Sequence, residues 1–218
     1  NTYVGSSAGK GTAGADASNV GVGFQSLKVI TSGTENVAIG KDSMNSTAAN
    51  AQTGTIAIGQ NSLTALTSGA GNVAVGYQAL TTTGTGGYNT AVGHQAADVL
   101  PDGANSNTAI GYGALGAGNN ASTDSNICIG EGGGGNITTG SKNTIIGASC
   151  NSGAVASVNQ IAIGYGATPS VSTNNTATIG NADITDVYMA SDSGATVHAA
   201  NVISNSNYAV EGYSTGRN

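Results

Sequence analysis

The side chains that could do chemistry in this chain are few and scattered. Its 218 residues carry eleven acids, two histidines and two cysteines. Glycosidase work needs two carboxylates held across a sugar ring. The nearest acids not split by a regular spacing are Asp183 and Asp186, which sit at a junction late in the chain. His94 and His198 are far apart in sequence, and neither has a Cys or His partner at metal-ligand spacing. Glu131-Gly-Gly-Gly-Gly-Asn136 lacks the Lys-Ser/Thr ending of a phosphate loop, so it reads as a flexible bend in a decayed repeat. Cys128 and Cys150 read as two small buried thiols, because free cysteine behaves as a small hydrophobe. The expectation is therefore no enzyme, no cofactor and no metal.

What the chain does have is a period. A Gly follows Ile or Val at Gly5, Gly23, Gly40, Gly59, Gly76, Gly93, Gly111, Gly130, Gly147, Gly164 and Gly180. The steps run from 16 to 19 residues. A short, persistent period marks a solenoid, in which no repeat can bury its apolar side alone. With each repeat Gly as position 0, position −1 is always Ile or Val, and −3 is β-branched everywhere except Ala177. Residues two apart share one strand face, so these columns predict a ladder in a sheet interior. Position +4 is often Leu or Met (Leu27, Met44, Leu63, Leu80, Leu115), which predicts a second short strand closing the core.

Position −2 points the other way and is small. Ala38, Ala57, Ala74, Ala91, Ala109 and Ala162 occupy it. A small uncharged face implies close packing, and another copy of the chain is the expected partner; a second layer from the same chain is the alternative. Position −4 is Asn in eight repeats, a type that can bond its amide to the next coil. At +1, Tyr77, His94 and Tyr112 fall in three consecutive repeats and should stack as a ladder on one edge. Exposed, they would offer a glycan-binding surface; otherwise they pack against a neighbouring copy or a loop.

Composition narrows the partners. Only 7% of residues are charged and the net charge is −6, so no basic patch exists for nucleic acid. No apolar run is long enough to insert in a membrane as a helix.

The segments N-V-A-I-G at 36–40, N-V-A-V-G at 72–76, N-T-A-V-G at 89–93 and N-T-A-I-G at 107–111 resemble the head repeats of trimeric autotransporter adhesins and related repeats in phage tail fibres. The resemblance covers about residues 1–180. It implies an all-β fold, a left-handed parallel β-roll of about eleven coils, assembled as a parallel homotrimer. Residues 181–218 lose the period and read as a short β-rich C-terminal cap or connector. The resulting expectation is a structural fibre protein for host or surface attachment, displayed on a virion or outside a cell. A cell-surface glycan or protein would be its receptor. A bacterial trimeric surface adhesin and a self-assembling extracellular filament are the alternatives.

Overall fold

The computed structural model describes residues 1–11, 18–30, 32–45, 52–117, 123–169, 174–184 and 187. The chain divides into two units, Asn1–Asp183 and Ile184–Asn218. The C-terminal cap expected over 181–218 lies almost wholly outside the described residues.

The first unit is a parallel β-solenoid. Its eleven strands are β1 (Thr2–Val4), β2 (Val20–Val22), β3 (Val37–Ile39), β4 (Ile56–Ile58), β5 (Val73–Val75), β6 (Thr90–Val92), β7 (Thr108–Ile110), β8 (Ile127–Ile129), β9 (Thr144–Ile146), β10 (Ile161–Ile163) and β11 (Ala177–Ile179). They form one sheet in sequence order, every pairing is parallel, and the register keeps −3, −2 and −1 aligned from coil to coil. Ten steps of about 4.8 Å make the ladder about 50 Å long.

The repeat glycine ends each strand for two reasons. At most of the eleven positions its φ lies between +125° and +144°. A Cβ on Gly93 would also stand 2.5 Å from the carbonyl oxygen of Gly111 in the next coil. Either constraint alone excludes a side chain.

The expected second strand is absent. After the glycine the chain turns through two left-handed residues, at +2 and +4, such as Gln78 (φ 56°) and Leu80 (φ 52°). The physical reason lies in the hydrogen bonds. Gln78 N–H donates back to Gln60 C=O, while Leu80 N–H donates forward to Ala96 C=O. An extended strand of this length would not aim alternate amides at opposite neighbouring coils from one corner. Leucine in the left-handed region carries strain, and the corner holds it by burying the side chain fully: Leu27, Leu63, Leu80 and Leu115 are all inaccessible.

Alanine at −2 shares the coil interior with this +4 column, as Ala57 does with Leu63, Ala74 with Leu80 and Ala109 with Leu115. Ala38, Ala57, Ala74, Ala91, Ala109 and Ala162 are each 0% exposed within the single chain. The expectation that they meet another copy is therefore overturned. They line the coil interior, which is too narrow for two large side chains. In two coils a larger −2 residue is matched by glycine at +4: Tyr3 stands with Gly9, and Cys128 with Gly134. A Cβ on Gly9 would come within 2.5 Å of the Tyr3 ring, and one on Gly134 within 2.4 Å of Cys128 Sγ. The four-glycine run is thus not a decayed bend. Gly133 and Gly134 are buried and continue the coil, with Gly134 accommodating the larger Cys128.

The −4 column fastens the stack. Asn19, Asn36, Asn72, Asn89, Asn107, Asn126 and Asn143 are buried. Each side-chain amide donates to a carbonyl in the following coil, from Asn19 to Gly33 at 2.8 Å through Asn143 to Ser157 at 2.8 Å. The Oδ1 of Asn89 accepts the backbone N–H of Asn107 at 2.9 Å, and the Oδ1 of Asn107 accepts that of Asn126 at 3.0 Å. Two members fail. Thr55 and Thr176 occupy −4 with hydroxyls that are buried and unpartnered. Near Thr55, the Nε2 of Gln52 reaches Leu66 and Thr67 C=O instead, both at 2.9 Å.

Candidate functional site

With the alanines inside, the β-branched columns stand outside. Val4, Ile39, Ile58, Val92, Ile110, Ile146, Ile163 and Ile179 at −1 are all exposed, Ile110 by 38%. Ile56, Ile127 and Ile161 at −3 are exposed beside them. Thr90, Thr108 and Thr144 fill other −3 positions and are half-buried. No charged residue interrupts either column in any of the eleven strands. Two columns about 7 Å apart on a ladder about 50 Å long make an apolar strip on the order of 500 Å². That is at the upper end of what a monomeric surface tolerates.

This strip is the surface that sequence reasoning missed. Both faces of each strand are apolar, so alternation alone could not say which turns inward. The signal was the +4 column: a buried Leu opposite the strand leaves room for Ala, not for Ile.

The aromatic ladder does form. The rings of Tyr77 and His94 are 5.0 Å apart between centroids and tilted by 32°. His94 and Tyr112 are 5.4 Å apart and tilted by 41°. Both distances are in the range of attractive ring contacts. The tilts prevent full overlap, and Tyr77 and Tyr112 remain 40% and 57% exposed. One residue further on, the Nε2 of Gln95 donates to the Oε1 of Gln78 at 3.2 Å. The next two coils have Gly113 and Gly132 at that place, with open space where their Cβ atoms would be. Glu131, exposed, follows Tyr112 in the +1 column.

The remaining candidates stay apart. Among the described residues no group of three His, Cys, Asp or Glu side chains could hold a metal, and no pocket is formed. Among the described residues no helix is long and apolar enough to cross a membrane. Asp183 lies at the end of the first unit, and Asp186 and His198 fall outside the described residues. Cys128 and Cys150 are free thiols and buried. Burial pushes the Cys128 thiol up to about 12, with the neighbouring Cys150 adding to the shift. Desolvation also raises the Asp98 carboxyl, against the opposing pull of its backbone hydrogen bonds and His94.

No family model, curated protein or solved structure matches the chain.

Proposed function

We propose that the chain is a structural fibre protein for attachment to a host or a surface, built as a parallel homotrimer and displayed on a virion or outside a cell. The observation that carries this reading is the uncharged β-branched strip along the whole ladder. In water that strip is unfavourable, at roughly 25 cal/mol per Å² of apolar surface. A second copy in the same register offers the same strip, so one surface solves the problem for every copy. Three strips of about 500 Å² together remove about 1,500 Å² of apolar surface from water in one assembly. Parallel copies then present each loop three times, and weak contacts add by avidity. The resemblance to adhesin heads and tail-fibre repeats points the same way, and the reading needs no catalytic group. A bacterial surface adhesin rests on the same physics with a different anchor.

Light scattering on the purified chain tests this. A discrete mass near three times 20.9 kDa is expected, falling to one chain in the I58D/I110D variant with its β-sheet circular dichroism intact. A monomeric wild type would overturn the reading, and open-ended polymers would favour a filament.

A further inference from the structure

The +1 column offers something the apolar strip does not. Tyr77, His94 and Tyr112 bring three rings into consecutive coils with their outer parts exposed. Beside them the Gln78–Gln95 amide pair supplies hydrogen-bonding groups. Past Tyr112, Gly113 and Gly132 leave bare backbone with open space above it.

We propose that this column and the adjoining glycine shelf form a binding surface for a neutral oligosaccharide. The proposal deepens the attachment reading and rests on it. A sugar ring has an apolar C–H face and a polar rim. An aromatic side chain with a polar handle meets the first, and convergent amide and hydroxyl groups meet the second. The rise from ring to ring, 5.0 and then 5.4 Å, follows the coil spacing, so successive units of an extended chain find successive rings. The shelf matters because any side chain at Gly113 or Gly132 would project into the space where the ligand lies. Charge selects the class. Glu131 stands exposed one coil beyond Tyr112, Lys41 in the same column lies two coils before Tyr77 and meets Asp42 at 3.9 Å, and the whole chain carries −6, so acidic sugars are repelled.

The column differs from a packing surface in ways that a measurement separates. Surface packing needs only apolar area, and Tyr165 at the same position two coils beyond Glu131 is more exposed, at 73%, with no ring contact among the described residues. It serves as the internal control.

The experiment is an array of neutral and acidic oligosaccharides probed with the full chain, followed by titration of the best binder by tyrosine fluorescence. The chain has no tryptophan, so its emission comes from tyrosine. Neutral members should bind and sialylated or uronic members should not. Tyr112→Ala should weaken binding by about tenfold or more, as loss of an aromatic platform does. Gly113→Asn should weaken it similarly while every ring stays in place, since Asn tolerates the left-handed backbone there, at φ 59°. Tyr165→Ala should bind like wild type. No binding across the array, a preference for acidic members, or Tyr112→Ala binding like wild type would each overturn the proposal. Oligomeric mass is read on the same samples. If Tyr112→Ala dissociates the assembly, the column belongs to the subunit interface and the proposal fails. If wild type is monomeric yet binds as predicted, the homotrimer reading fails and the site stands.

Discussion

Replacing Thr55 with Asn should stabilise this protein. The position interrupts a column that is asparagine in eight of the eleven repeats, and its hydroxyl is fully buried without a partner. An asparagine there would follow the pattern of its neighbours. Its Oδ1 would accept the backbone N–H of Asn72, as Asn89 accepts that of Asn107. Its amide would donate to a carbonyl in the next coil, as Asn72 donates to Gly86 at 2.8 Å. Each buried hydrogen bond is worth about 1 kcal/mol net, and an unmet buried group costs about 1–3 kcal/mol. Gln52 already satisfies two carbonyls nearby, which trims the gain. The balance is about 1–2 kcal/mol, or roughly 2–8 °C in melting temperature for a unit of this size. The reverse change, Asn107→Thr, reproduces the defect where no glutamine compensates and should cost about 2–4 kcal/mol. Urea titration of both variants, followed by circular dichroism, measures the pair. A neutral or destabilising Thr55→Asn beside a harmless Asn107→Thr would refute the claim that the column fastens the coils.

Three further outcomes follow from the packing. Gly93→Ala puts a methyl group 2.5 Å from the Gly111 carbonyl at φ +140°, and should cost at least about 3 kcal/mol or abolish folding, by urea titration. Ala74→Leu, opposite the buried Leu80, overfills the coil interior and should lower thermal stability by about 1–3 kcal/mol; unchanged stability with loss of assembly would instead return the alanines to an interface. Cys128 should resist iodoacetamide at pH 8 until the chain unfolds. Its folded pKa, about 12, exceeds the ordinary 9.0, so the neutral thiol's stabilisation is complete below pH 9 and is lost as pH rises toward 12. Cys128→Ala should flatten that alkaline decline in a melting curve taken against pH.

Much of this architecture is legible in the residues. The Ile/Val-Gly period marks all eleven strands, because one backbone geometry recurs and only glycine fits it. The asparagines announce the inter-coil bonds, and the consecutive aromatics announce the ring ladder. The corner at Leu80 is not legible, since leucine gives no hint of a left-handed backbone; only burial holds it there. Alternation does not reveal the inward face either, because Ile110 and Ala109 are both apolar; the leucines at +4 are the signal that does. The exchange of Tyr3 for Ala with Gly9 for Leu was readable as compensating volumes, but only once the two columns are known to touch.

The asparagine column also bears on how the molecule responds to load. Each coil is tied to its neighbours in series, so tension applied at the two ends of the ladder reaches every junction alike and the weakest opens first. Thr55 marks such a junction. Each released coil adds some 17 residues of slack, about 60 Å of extended chain. Pulled from its ends, the ladder should lengthen in steps of that size rather than fail at once. Bundled copies would share the tension across every junction, which is a useful property for a tether.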